Sequence, residues 1–183
     1  MLITGGAGFI GSNIALQLLA HGRKVTVLDN LSPQIHGEQP ELTSPLYRSI
    51  MDKVDFIKGD VRNRADWEKA LVDADAVIHL AAETGTGQSM YEFEKYVDVN
   101  IGGTAILLDL LTNTDHRVKR VIVAESRAIY GEGRYWSSDL NSYVYPDDRT
   151  DDTMSAGYFD PVYPGASSPL KLVATTEDSL IHP

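Results

Sequence analysis

Cysteine is absent from all 183 residues, so disulfides, thiolate metal sites and cysteine nucleophiles are excluded. Basic charge is scarce: 16 Lys and Arg stand against 26 Asp and Glu, for a formal charge of -10. A surface of that sign does not gather nucleic acid or anionic lipid, so a phosphate ligand would have to be held by local geometry. Long apolar runs are missing too, and the first residues carry no charged stretch leading into a signal-like apolar segment. A cytoplasmic protein with no membrane contact is therefore expected. The five histidines, His21, His36, His79, His116 and His182, form no pair four residues apart and gather no carboxylates, so no metal site is expected. Trp67 and Trp136 read as packing residues, and the Asp147-Asp148 and Asp151-Asp152 pairs as a solvated loop.

What is present suits one domain with a real core: 43% of residues are hydrophobic and 23% charged. Leu2 to Thr4 is a short apolar β run ending in glycines, and Phe9 to Ala20 places Ile10, Ile14, Leu18 and Leu19 at helical spacing. Further strands are expected at Lys24 to Leu28, Val54 to Ile57, Ala76 to Leu80 and Arg120 to Val123. Helices are expected at Ala65 to Val72 and at Tyr91 to Leu111, the latter whole or broken at Gly102-Gly103. Strands alternating with helices imply right-handed crossovers and an α/β doubly wound parallel sheet, with strand order 3-2-1-4-5.

Residues 1–130 are read as a dinucleotide-binding Rossmann domain. After Gly131 the periodicity fades, and prolines at 146, 161, 164, 169 and 183 punctuate an irregular segment, 131–183, rich in Asp, Ser and Tyr. From Glu125 onward there are ten acidic and four basic residues, so the acidity concentrates there.

The run Thr4-Gly5-Gly6-Ala7-Gly8-Phe9-Ile10-Gly11 satisfies Gly-x-Gly-x-x-Gly from Gly6 and Gly-x-x-Gly-x-x-Gly from Gly5. Between a strand and a helix, glycines permit the tight turn, let the backbone approach a pyrophosphate and allow close helix–strand packing. Free N–H groups at the helix start, around Phe9 and Ile10, then meet the phosphates. Asp29, at the end of the second strand, is placed to bind both ribose hydroxyls and to repel a 2′-phosphate, which favours NAD over NADP. Asp60, in Gly59-Asp60-Val61 after the third strand, offers a carboxylate to the adenine amino group, although alone it would read as a loop cap.

Thr4 to Gly11, Asp29-Asn30-Leu31, Gly59-Asp60-Val61, His79-Leu80-Ala81-Ala82, Asn100-Ile101-Gly102-Gly103-Thr104 and Ser126 through Tyr130-Gly131 follow one another in the order found in extended short-chain dehydrogenases. Together they resemble the NAD-dependent sugar epimerase/dehydratase family. The resemblance implies that Gly5, Gly8, Phe9, Ile10 and Gly11 surround the pyrophosphate. It makes Asp29 and Asn30 ribose neighbours and Asp60 and Val61 adenine neighbours, and it lines the cofactor with Leu80, Ala81, Ala82 and Asn100. Thr84 and Ser89 fall where relatives touch the sugar nucleotide, and Ser126 matches the catalytic Ser/Thr. The implied chemistry moves a hydride from a sugar carbon to nicotinamide and returns it to the opposite face, with a tyrosinate taking the proton.

Within the family, Asp29 to Gly37, Gly87 to Tyr91 and Arg127 to Gly133 look most like dTDP-L-rhamnose 4-epimerases and UDP-sugar 4-epimerases, so a dTDP- or UDP-sugar is the implied substrate. Sugar 4,6-dehydratases place an Asp-Glu pair directly after the catalytic hydroxyl; here Arg127 and Ala128 stand there, which favours an epimerase. Glu125 departs from the small hydroxyl residue usual at its position.

Tyr-x-x-x-Lys, which sets phenol and ammonium one helical turn apart, occurs once, at Tyr91 and Lys95, ahead of Ser126 rather than after it. It is read as accidental. None of the tyrosines beyond Ser126 has a lysine four positions on. The expectation is a fragment that ends just before the active-site helix, binds NAD and does not epimerise alone. A non-catalytic NAD-binding regulator is the alternative. Relatives also suggest a homodimer through the Tyr91 to Leu111 helix.

Overall fold

The computed structural model describes residues 1–181, apart from the side chains of Thr86 and Arg127. His182 and Pro183, counted above among the histidines and prolines, lie outside the described residues. The chain divides into two compact units, Met1–Ala124 and Glu125–Pro183.

The first unit opens with strand β1 (Leu2–Thr4), helix α1 (Phe9–Ala20) and strand β2 (Thr26–Asp29). Three short helices follow, α2 (Pro33–His36), α3 (Pro40–Thr43) and α4 (Pro45–Ile50), each with proline in its first turn, where the missing N–H costs nothing. Then come β3 (Asp55–Lys58), α5 (Arg64–Leu71), β4 (Ala76–His79), α6 (Thr86–Ser89), α7 (Phe93–Tyr96), a π-helical turn (Val97–Gly102), α8 (Gly103–Asn113) and β5 (Arg120–Val123). The sheet runs β3-β2-β1-β4-β5 with every pair parallel, the order the alternating pattern implies.

Neighbouring residues on a strand point to opposite faces, and here they fill two cores. Leu2, Leu28 and Val77 pack with Trp67, Leu71, Leu107 and Leu110 from α5 and α8. Ile3, Val27 and Ile78 pack with Ala15 and Ile50 from α1 and α4. Strands buried on both faces carry apolar runs rather than alternation, which is why they were legible.

Helix α1 has the bounds its apolar spacing suggests. Its end is a left-handed glycine cap: Gly22 adopts φ 70, and Gly22 and Arg23 donate to the carbonyls of Leu19 and Leu18. Strands β2 and β3 sit one or two residues later than their apolar runs because pairing with neighbours sets their ends. The long helix from Phe93 to Asn113 does not break at Gly102-Gly103; it widens into the π turn just before. Gly103 is buried against Val61, where a Cβ would stand 2.8 Å from a Val61 methyl.

The second unit contains a turn of 3₁₀ helix (Arg127–Tyr130), then strands β6 (Tyr135–Ser137) and β7 (Ser142–Val144), helix α9 (Asp151–Ser155) and strand β8 (Lys171–Leu172). Its antiparallel sheet is ordered β7-β6-β8. These strands are as short as β1 but lack its buried apolar run, so this sheet is invisible in the sequence.

Among the described residues, no helix is long and apolar enough to cross a membrane, and no group of histidines and carboxylates could hold a metal ion.

Candidate functional site

At the carboxyl ends of β1, β2 and β4, the glycine loop, Asp29 and the segment after His79 come together, where strand order changes direction about β1. Open α/β sheets take their ligands there. Gly5 adopts φ 64, and a Cβ on it would lie 2.8 Å from the Ala81 amide nitrogen; one on Gly11 would lie 2.4 Å from the Gly5 carbonyl oxygen. Both positions must be glycine for loop, helix and β4 segment to approach as they do.

Gly8 caps α1 with no side-chain hydrogen bond, and the first turn holds no acidic residue. The helix dipole and its leading N–H groups are therefore left for an anion. Phe9 and Ile10, on this turn, are exposed. The uncapped helix start, a cradle that a Cβ would fill and a carboxylate on the next strand fit a dinucleotide pyrophosphate and ribose.

Asp29 is only 8% exposed. One oxygen accepts from the Ala7 N–H at 2.9 Å and the other from the Leu31 N–H at 2.8 Å. The carboxylate thus anchors the glycine loop to the end of β2 as well as facing the site. Asn30 is exposed and its side-chain oxygen accepts from the Ser32 N–H.

Asp60 is engaged by Arg62, whose Nε and Nη2 donate to its two oxygens at 3.0 and 2.8 Å, while the Arg62 N–H and Asn30 Nδ2 also donate to it. These bonds, led by the Arg62 side chain, hold the Asp60 carboxyl below the usual carboxylate range, against the opposing effect of burial. Val61 is buried, and its carbonyl accepts from the Trp67 indole.

Two polar side chains absent from the sequence-based set organise the β4 side. The Thr4 hydroxyl accepts from the Leu80 and Ala81 N–H groups, both at 3.2 Å, and lies 2.6 Å from His79 Nδ1. His79 Nε2 is 3.1 Å from the Thr104 hydroxyl, which donates to the Asn100 carbonyl. These directions leave one consistent arrangement: Thr4 donates to Nδ1, and Nε2–H donates to Thr104. Burial pushes the His79 imidazole below its ordinary value, so it stays neutral. The signal for both residues was their place, each being the last residue of a central strand.

Asn100 lines the cofactor side by the family resemblance, yet its amide is spent on backbone: the Glu83 N–H donates to its oxygen at 2.8 Å, and its nitrogen donates to the Glu83 carbonyl at 3.1 Å. Lys95 binds the carboxylates of Glu83 at 3.1 Å and Glu92 at 3.3 Å, which raises its pKa. The Tyr96 hydroxyl donates to the Gly85 carbonyl. One helix therefore holds the 83–85 segment at three points.

Ala82 and Thr84 are exposed, and Ser89 is half-buried in α6. Tyr91 is 84% exposed. Ser126, in the second unit, is exposed and accepts from the Ala128 N–H at 3.2 Å, capping the 3₁₀ turn. Glu125 is exposed.

Comparison with known proteins agrees with this fold. The model of the NAD dependent epimerase/dehydratase family matches residues 1–150. The dTDP-L-rhamnose 4-epimerase of Burkholderia thailandensis is 38% identical over 167 residues, covering 90% of this chain and 44% of that one. The UDP-glucose 4-epimerase of Streptomyces lividans is 37% identical over 131 residues, covering 72% of this chain and 37% of that one. The UDP-glucose 4-epimerase of Bifidobacterium longum, solved with NAD+ and UDP, superposes with a TM-score of 0.56 at 34% identity, over 71% of this chain and 38% of that one. The chain thus spans less than half the length of these relatives. With the matched family model covering the whole parallel sheet and its glycine turn, the chain belongs to the NAD-dependent epimerase/dehydratase family.

Proposed function

We propose that this chain is the NAD-binding part of a nucleotide-sugar epimerase acting on a dTDP- or UDP-sugar. The observation that carries the reading is the glycine loop held by Asp29 beside the uncapped start of α1. The leading amides of α1 would receive the pyrophosphate, Asp29 the adenosine ribose hydroxyls, and Asp60 with Val61 the adenine edge. Leu80, Ala81 and Ala82 would line the cofactor, with the 83–85 segment held by Asn100, Lys95 and Tyr96. When bound, NAD supplies a reversible hydride acceptor.

Ser126 stands at the family's catalytic hydroxyl position and would hydrogen-bond the reacting sugar oxygen; Thr84 and Ser89 would contact the sugar nucleotide. Arg127 and Ala128 favour epimerisation over dehydration, because neither position supplies the carboxyl acid and base that water elimination needs. These 183 residues contain no Tyr-x-x-x-Lys after Ser126, so by themselves they bind NAD and do not turn over a nucleotide sugar. Calorimetric titration with NAD, followed by an assay with UDP-galactose and dTDP-L-rhamnose, tests both parts. Saturable NAD binding without epimerised product is expected; no NAD binding by the folded chain, or measurable epimerisation, would overturn the reading.

A further inference from the structure

His36 stands apart from every role assigned above. It closes α2 in the segment after β2 and is only 4% exposed, and its Nε2 lies 3.8 Å from an oxygen of Asp29, itself nearly buried. On the other side of the ring, Nδ1 is 2.9 Å from the Ser44 hydroxyl. Ser44 also caps α4, accepting from the Tyr47 N–H. The segment is folded tightly around the imidazole: the Thr43 hydroxyl donates to the His36 carbonyl at 2.7 Å, and the His36 N–H donates to the Ser32 carbonyl.

We propose that His36 is a positioning residue for Asp29, and that through it this chain prefers nucleotides with an intact adenosine ribose diol. The inference rests on the NAD reading above.

The ring's orientation follows from its neighbours. A bare Nε2 lone pair facing a carboxylate oxygen would be repelled, so Nε2 carries a hydrogen. The Ser44 hydroxyl accepts from Tyr47 and is free to donate to Nδ1, which leaves the Nε2–H aimed at Asp29. At 3.8 Å the contact is longer than a hydrogen bond, so its effect is electrostatic. A buried carboxylate needs donors around it. Ala7 and Leu31 each occupy one oxygen, and the His36 N–H adds positive potential beside the second. That potential favours the orientation in which the remaining lone pairs of Asp29 face the ribose.

The test compares ADP with 2′,3′-dideoxy-ADP, which differ only in the hydroxyls Asp29 would receive, by calorimetric titration of the folded chain. Wild type is expected to bind ADP more tightly. His36→Leu should reduce the ratio of the two Kd values by about three- to tenfold, the range of a single polar contact near a charge, by weakening ADP alone. His36→Gln, which keeps an N–H donor, should restore most of the ratio. Ser44→Ala, which keeps the imidazole but frees it to rotate, should move the ratio in the same direction as His36→Leu and serves if the latter does not fold. An unchanged ratio, or equal weakening of both nucleotides, overturns the role of His36 alone. Failure of wild type to bind either nucleotide overturns the NAD reading and this inference together.

Discussion

Among the described residues, every buried apolar side chain lies between Met1 and Ala124 except Val144, in β7, and Pro146 just after it. The parallel-sheet unit is built on two cores, one on each face. The unit from Glu125 onward relies on polar staples instead. Asp139 accepts from the Ser167 and Ser168 N–H groups and the Ser168 hydroxyl; Arg134 donates to the Ala174 carbonyl and stacks over Tyr143; Arg149 binds Glu132. Burial of apolar area stabilises strongly, whereas exposed polar contacts contribute little each. The difference teaches that the first unit carries its own folding free energy and presents a packed frame for the candidate site, while the second is held locally.

Truncating the core breaks the comparison most sharply. Trp67 is fully buried and its indole N–H bonds the Val61 carbonyl, so Trp67→Ala should cost about 3–5 kcal/mol in chemical denaturation. Val144→Ala should cost about 1 kcal/mol. Similar losses from the two would contradict separate cores. A Cβ at position 11 would collide with the backbone of Gly5 and Gly6, so Gly11→Ala should weaken NAD binding by about tenfold or more, since a shift of the loop misplaces every contact to the pyrophosphate. Hydrogen exchange in the 125–181 region should stay unchanged.

The third expected effect is a pH dependence from His79. Its folded pKa is depressed by burial, so below the unfolded value of about 6.5 the unfolded chain takes up a proton that the folded chain resists. Stability should therefore fall as pH drops through that value and be at its full level above it. Denaturation midpoints at pH 8 and pH 5.5 should differ more for wild type than for His79→Gln; an equal difference would remove His79 as the cause. The smallest effect is expected from Asp139→Ala, which should speed amide exchange at Ser167 and Ser168 without moving the global midpoint.

The same contrast explains what the sequence disclosed. Strands such as Leu2 to Thr4 and Ala76 to His79 are buried on both faces, and α1 packs Ile14, Ala15, Leu18 and Leu19 against the sheet, so periodicity and glycine punctuation revealed them and their order. The glycine turn was legible because Gly5 and Gly11 leave no room for a Cβ, whereas the hold of Asp29 on the loop through the Ala7 N–H was not. The Thr4, His79 and Thr104 chain was not, since a hydroxyl and an imidazole declare no partner until two strands and a helix are side by side. Nor did periodicity show the π turn: its extra residue accompanies Asn100 turning both ends of its amide to Glu83. In the second unit, β6, β7 and β8 are paired by backbone hydrogen bonds that any side chain permits.

Paired calorimetric titrations of NAD and NADP into wild type and Asp29→Asn bear most directly on the central claim, that the glycine loop and Asp29 form an NAD site. The expected result is saturable binding of one NAD per wild-type chain, weaker NADP, and a loss of both NAD affinity and discrimination in Asp29→Asn. Absence of NAD binding by the folded wild-type chain, or equal affinity for NAD and NADP, would contradict it.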